Sequence, residues 1–284
     1  LKPFVNCYRV IELSEWELDT IRNLGFRGIR FDLKSHEDVS ASCERLASHG
    51  LSGIMLINGD KMQMSLEQTV DLAAWAAGTA AGDIAIEIGN EPDISPTYGG
   101  DHDGFGRMVN AAAMAVKGRC TVISGGIFNT GRAGLEYLRE ALEWIDPTVH
   151  VGVHSYRQTT SPYEAKKPFK SRTDEWRAIR EVARGRPVWC TETGWHTAQF
   201  PTGWFGLRKK HWTNNEVLAF LNMELQIQSQ GGAKACVVYQ WTDGPTEEGI
   251  DRFGLKFFGV PPILKPQAQC VNAPGTFLGR SDGL

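Results

Sequence analysis

Two glutamates, each closing a short apolar run, stand far apart in the chain. Glu91 lies in Ile88-Gly89-Asn90-Glu91-Pro92-Asp93, and Glu192 in Trp189-Cys190-Thr191-Glu192-Thr193-Gly194-Trp195. Each run passes into turn-forming residues, so each reads as a strand that ends at its glutamate. Two carboxyl groups brought into one cleft are the minimum needed to work on a glycosidic bond. One, held protonated, donates to a leaving oxygen, and the other, kept ionised by hydrogen bonds and a nearby cation, attacks the anomeric carbon. Arg30 is a candidate for that cation, and Tyr156 for a hydroxyl that orients the nucleophile. Asn90 stands ready for a sugar hydroxyl beside the reacting carbon, and Trp241 for a flat apolar floor under the ring. His154 reads either as a substrate contact or as a satisfied structural histidine, and Arg30 either as a site residue or as a partner of Asp32 or Glu87. Glu87 is a rival carboxylate, but its place inside the fourth strand puts it near the middle of a barrel rather than at its mouth.

These residues need a fold that gathers strand ends. Short apolar runs at residues 4–10, 28–33, 54–57, 84–89, 121–124, 149–153, 187–191 and 235–240 alternate with helical stretches at 40–48, 65–77, 105–116, 135–144, 174–182 and 215–228. A further helix starts at Ser14, with Glu17 completing a capping box, and residues 262–269 fit a closing helix. Eight apolar strands alternating with helices predict a parallel sheet covered on both faces, and the count predicts a (β/α)8 TIM barrel. An open doubly wound sheet would carry a Gly-rich phosphate turn after its first strand; here Asn6-Cys7-Tyr8-Arg9 stands there instead. Polar residues close the strands, whereas the strand starts are mostly turn and basic residues. In a barrel that asymmetry marks the catalytic face.

The 284 residues are 42% hydrophobic and 22% charged, with a net charge of −3. No internal repeat or linker divides them, so residues 1–284 are expected to form one catalytic domain, with 272–284 a surface tail. The charge gives no footprint for nucleic acid, and no apolar run is long enough for a membrane span. The expected partner is a carbohydrate substrate, the expected state a monomer, and no cofactor is called for. The six cysteines lack metal-ligand spacing; most read as free buried thiols, with a Cys7–Cys43 pair or one involving Cys270 left open. Leu1-Lys2-Pro3 has neither a Met nor an apolar signal region, a processed or trimmed start, so targeting information is missing rather than negative. Polysaccharides lie outside cells, which favours secretion, while free thiols pull the other way.

Asn90-Glu91-Pro92 after strand four, Glu192 after strand seven, Arg30 on strand two, His154-Ser155-Tyr156 after strand six and Trp241 after strand eight resemble the clan A retaining glycoside hydrolases. That group includes cellulases, mannanases, xylosidases and exopolysaccharide hydrolases. Phe253-Gly254-Leu255 and Leu264-Lys265-Pro266 also look like the C-terminal signature of several members. The resemblance implies Glu91 as acid/base and Glu192 as nucleophile, Asn90 on the 2-hydroxyl, and Arg30 and Tyr156 in support of Glu192. It spans nearly the whole barrel by single motifs, so it points to the clan and not to one family. One departure stands out: many members have a further polar residue, often His, after strand three, where this chain has Asn58-Gly59-Asp60.

The expected activity is therefore retaining hydrolysis of a β-linked oligo- or polysaccharide, in an endo-acting mode. A carbohydrate-binding barrel without turnover, or a metal-dependent (β/α)8 hydrolase, are the alternatives. Residues 195–212 hold Trp195, Phe200, Trp204, Phe205 and Trp212; Trp195 and Trp204 are candidates to stack on sugar rings, unless they pack the loop on the barrel. Lys166-Lys167 and Lys209-Lys210 would favour an acidic polysaccharide if they faced the cleft. Asp101-His102-Asp103 has metal-ligand residue types but too few ligands, and Ser124-Gly125-Gly126 lacks the flanks of a nucleophile elbow.

Overall fold

The computed structural model describes residues 1–33, 35–57, 64–80, 83–157, 161–195, 197, 200–202, 208–242, 254–255 and 263–271. Eight parallel strands form the barrel: β1 (Lys2–Asn6), β2 (Gly28–Asp32), β3 (Ser52–Ile57), β4 (Ile84–Ile88), β5 (Thr121–Ser124), β6 (Val151–His154), β7 (Val188–Thr193) and β10 (Ala235–Val238). They are hydrogen-bonded in the order β5-β4-β3-β2-β1-β10-β7-β6. The remaining seam is closed by parallel bridges between Ile123 and His150 and between Ile127 and Val153. Between β7 and β10 the chain forms a separate antiparallel hairpin, β8 (Phe200–Thr202) and β9 (Arg208–Lys210).

Helices α1 (Glu15–Asn23), α2 (His36–Ser48), α3 (Leu66–Thr79), α4 (His102–Val116), α5 (Arg132–Ala141), α6 (Arg172–Ala183) and α7 (Asn214–Gln230) surround the strands. Their starts are written locally. Ser14 with Glu17, Ser65 with Gln68 and Thr213 with Glu216 each form a full capping box, in which two orphan N–H groups are satisfied reciprocally. The expected first strand is shorter at its far end, because the chain leaves β1 at Asn6 and turns through a 3-10 segment at Val10–Glu12. The expected closing helix is a 3-10 helix, Pro266–Val271, packed on α7. Residues 272–284 lie outside the described ones, and all six cysteines are free thiols.

Strand alternation sorts side chains into the barrel and out of it. The floor of the interior is apolar: Phe4, Ile54, Ala85, Ile123, Ala235 and Val237, with Trp189 packed against them. One pleat higher on the same inward face, the apolar residues give way to Asn6, Arg30 and Glu87, all buried. Outward-facing residues such as Val5, Ile29, Met55, Ile86 and Val238 join the larger core under the helices.

Strand β7 departs from this rule where it matters. Val153 and His154 on β6 pair with Cys190 and Glu192, and Cys236 and Val238 on β10 pair with Cys190 and Thr193. β6 therefore meets one extra residue in β7 between Cys190 and Glu192, and β10 meets one between Cys190 and Thr193, which is a β-bulge. Simple alternation would send Trp189 inward and Glu192 outward with Cys190. The bulge restores Glu192 to the interior.

The barrel floor has little slack. A Cβ on Gly28 would lie 2.4 Å from a ring carbon of Phe4 and 2.3 Å from the Ser52 carbonyl oxygen. Gly28→Ala should therefore lower the free energy of unfolding by about 1–3 kcal/mol, the usual cost of overpacking. Urea denaturation checks this; a variant as stable as the parent would show that the floor can relax.

Candidate active site

Arg30 projects from β2 into the barrel and meets an acceptor on every side. Its Nε donates to Glu87 Oε2 at 2.6 Å, Nη1 to Glu192 Oε1 at 2.6 Å and to Asn6 Oδ1 at 2.9 Å, and Nη2 to Asn90 Oδ1 at 2.9 Å. Arg30 is thus an interior ion-pair partner of Glu87 and at the same time a direct neighbour of Glu192. Glu87 also accepts from the Gly126 N–H at 3.1 Å, which fixes it below the mouth of the barrel.

Glu192 has both oxygens engaged, Oε1 by Arg30 and Oε2 by the Tyr156 hydroxyl at 2.5 Å. Burial alone would raise its carboxyl. The charges of His154 and Arg30 and the hydrogen bonds from Tyr156 and Arg30 outweigh that and hold it below the ordinary carboxylate range. Burial, and then the negative charge of Glu192, push the Tyr156 hydroxyl well above its usual range. It keeps its proton and remains a donor.

Glu91 follows β4 by three residues, and its backbone is left-handed, with φ 46°. Its N–H donates to the Gly126 carbonyl at 3.0 Å, and its side chain is 18% exposed against 9% for Glu192. His154 lies between the two glutamates, its Nδ1 2.9 Å from Glu91 Oε1 and 3.8 Å from Glu192 Oε2. It is completely buried, so it supports the carboxyl groups and presents no surface to a ligand. Burial lowers its pKa, but Glu192 and Glu91 together outweigh burial and the net direction is upward. Gly126 makes room for it: a Cβ there would lie 2.3 Å from the imidazole and 2.5 Å from Thr191 Oγ1. The Gly125-Gly126 pair is thus a spacing device for close backbone approach.

Asn90 spends its Oδ1 on Arg30, which leaves its amide nitrogen as a donor. Trp241 does not form a floor under the site. The regular strand ends at Val238, and alternation does not carry the indole back inside. Trp241 is 1% exposed, sits in the helix-side core, and donates from Nε1 to Glu17 Oε1 on α1 at 3.1 Å. The aromatic ring from this strand end that lies beside Tyr156 is Tyr239, edge-on at 6.0 Å, with its hydroxyl 3.2 Å from that of the exposed Tyr8. The period-two pattern Tyr239-Gln240-Trp241 held that signal, and the larger ring drew attention from it. Trp195 is also a packing residue: it is 1% exposed and meets Phe220 of α7 at 5.6 Å. Trp212 packs on the same Phe220 at 4.8 Å. Trp204 and Asn58 lie outside the described residues.

Further out, Lys166 donates from Nζ to the Phe128 carbonyl at 2.9 Å and lies over the Phe128 ring. Burial brings its ammonium down to about 8. His102 is held by Asp103 and Glu140, both at 2.8 Å, as a surface pairing. Among the described residues, Glu91, His154 and Glu192 are the group close enough to share a metal ion, with one donor atom of each within 4.8 Å of the others. Arg30 and Tyr156 already occupy both oxygens of Glu192, and a guanidinium at 2.6 Å opposes a dication there. The donor set suits acid/base and nucleophilic work better than metal binding.

No family model and no curated protein matches the sequence. Solved structures do match in fold. An endo-β-1,4-glucanase from Xanthomonas axonopodis pv. citri superposes with a TM-score of 0.63 at 13% identity, over 96% of this chain and 98% of that one. A family 5 xyloglucanase from Paenibacillus pabuli gives 0.61 at 12% identity, over 95% and 96%. A β-1,3-glucanosyltransferase from Rhizomucor miehei gives 0.66 at 10% identity, over 94% and 96%. The likeness is one of fold. The clan A resemblance carried by the motifs thus meets a barrel whose neighbours include glycoside hydrolases of family 5.

The lowered carboxyl of Glu192 ties stability to pH. Its contribution is present above about pH 4.3, the ordinary value in an unfolded chain, and is lost as pH falls through its lower folded value. Glu192→Gln should therefore flatten the fall in melting temperature between about pH 5 and pH 2. Melts across that range decide it: a slope equal to that of the parent would mean that the Arg30 and Tyr156 contacts do not favour the ionised carboxyl.

Proposed function

We propose that this chain is a retaining glycoside hydrolase acting on a β-linked oligo- or polysaccharide. One observation carries the reading: an oxygen of Glu91 lies within 4.8 Å of one of Glu192, while Arg30 and Tyr156 hold Glu192 as the ionised member. Retaining enzymes place their two carboxyl groups about 5–5.5 Å apart, whereas inverting ones leave about 6.5–9.5 Å for a water. The spacing supports the first class.

In the first step a Glu192 oxygen forms a bond to the anomeric carbon as the bond to the leaving oxygen breaks. Glu91, in its protonated form, gives its proton to that oxygen. His154 Nδ1, 2.9 Å from Glu91 Oε1, holds that carboxyl in place beside Glu192. In the second step Glu91 takes a proton from water, the water oxygen attacks the anomeric carbon, and the ester bond to Glu192 breaks. Asn90 donates to the neighbouring hydroxyl, and Tyr8 and Tyr239 offer the apolar face on which the ring rests. Arg30 and Tyr156 engage different oxygens of the nucleophile and need not move during the reaction.

The named substrates of the fold neighbours make β-1,4-glucan and xyloglucan the first members of a substrate panel, in an endo-acting mode. On the responsive substrate Glu192→Ala should lower kcat by about 10⁴-fold or more. Glu91→Ala should lower it by about 10²–10⁴-fold, and far less on an aryl glycoside whose phenol leaves without a proton. Proton NMR of the first product should show the β-anomer. An α-anomer, or full activity in Glu192→Ala, would sink the assignment; monosaccharide as the sole early product would exclude the endo mode.

A further inference from the structure

A second buried charge network lies behind β6, in contact with the residues on both sides of Tyr156. Arg157 sits next in the chain and is buried. It donates from Nη1 to the Tyr156 carbonyl at 2.8 Å, from Nε to the Glu164 carbonyl at 3.1 Å, and from Nη2 to the two Glu175 oxygens at 2.5 and 2.6 Å. Glu175, on α6, is fixed in turn by the Thr130 hydroxyl at 2.6 Å and by the Lys166 N–H at 3.3 Å. On the other side of Tyr156, the Ser155 hydroxyl donates to Glu224 of α7 at 2.7 Å, and Arg172 of α6 donates to the same oxygen at 2.6 Å. The Ser155 main chain is tied to β7 at both ends: its N–H donates to the Glu192 carbonyl at 2.8 Å, and its carbonyl accepts from Thr193 Oγ1 at 2.9 Å.

We infer that Arg157 and Glu175 are a positioning pair for Tyr156, and through its hydroxyl for the nucleophile Glu192. The inference rests on the hydrolase reading for its catalytic consequence. A hydroxyl that must stand 2.5 Å from a carboxylate oxygen tolerates little movement of its own backbone, because hydrogen-bond strength falls steeply with distance and angle. The Tyr156 carbonyl is held by a guanidinium whose other end is clamped on a helix. With Nη2 on both Glu175 oxygens, Nη1 on the Tyr156 carbonyl and Nε on the Glu164 carbonyl, the planar guanidinium is held by three partners at once, which fixes its direction as well as its distance. An apolar pair of the same volume would fill this space without aiming anything, and burying two charges to do so is no route to stability as such.

The charged and titratable groups around the nucleophile are Arg30 of β2, Glu91 after β4, and His154 and Tyr156 of β6 and its loop. Those around Arg157 are Glu175 and Arg172 of α6, Glu224 of α7, and Lys166 in the loop. Arg157→Lys keeps the charge and loses the fork; Glu175→Asp keeps the charge and shortens the anchor, and serves if the first variant does not fold. Carbon-13 NMR titration of the glutamate side-chain carboxyls, with Glu192→Gln to assign the signal, reads the nucleophile without needing turnover. Both variants should move the Glu192 midpoint up, towards that of Tyr156→Phe, and Arg157→Lys combined with Tyr156→Phe should move it no further than Tyr156→Phe alone. On a responsive substrate, kcat should fall about tenfold with KM unchanged, and the acid limb of the pH profile should follow the NMR midpoint. A midpoint unchanged in folded Arg157→Lys or Glu175→Asp, or a shift that adds to that of Tyr156→Phe, overturns the inference. If the parent protein hydrolyses no member of the panel, the hydrolase reading falls, and the titration still decides the positioning.

Discussion

A guanidinium in a dry barrel must be surrounded by acceptors, and that requirement organises everything near it. Arg30 draws in Asn6 from β1, Glu87 and Asn90 from β4 and the turn after it, and Glu192 from β7. Removing a single partner would strand a buried charge, so the four positions are coupled energetically and not merely adjacent. Two carboxylates face one cation, and the division of labour between them is spatial. Glu87 is locked by the Gly126 N–H one pleat down. Glu192 is reached by Tyr156 at the level where a ligand can arrive. The cation therefore helps to keep the upper carboxylate charged, while the lower one balances the cation.

Much of this arrangement is legible in the chain because barrel geometry converts strand order into spatial position. Apolar runs closing in polar residues give the strand count, and the count places Glu91 and Glu192 at the same end of the barrel. What the chain does not show is parity. Nothing in Val188-Trp189-Cys190-Thr191-Glu192-Thr193 announces an extra residue, and strict alternation would turn Glu192 towards the helices. The bulge appears only when β6 and β10 both pair across it. The same limit misplaced Trp241. Residue type suggested a sugar platform, but the chain leaves the strand pattern at Val238, and the indole is claimed by Glu17.

Glu17 illustrates how the helical layer reaches inward. One of its oxygens completes the capping box of α1, and the other receives the Trp241 indole from the end of the last barrel strand. A local signal that starts a helix thus also ties the first βα unit to the eighth. Arg157 and Glu175 make a similar link between α6 and the end of β6. In both cases a residue whose type suggests surface chemistry has been drawn under the barrel rim, where its hydrogen bonds orient a neighbour.

The backbone of Glu91 holds one further consequence. A left-handed conformation costs an ordinary side chain about 1–2 kcal/mol, and glycine visits it freely. A lineage that needed this barrel only to hold a sugar would gain stability by drifting to glycine or asparagine at that position. A glutamate there stands against that thermodynamic preference, which makes the residue informative in a way that its chemistry alone is not. On the proposed hydrolase reading the carboxyl of Glu91 is what offsets that cost, and a barrel of this shape with glycine at the same turn would have given up turnover for stability.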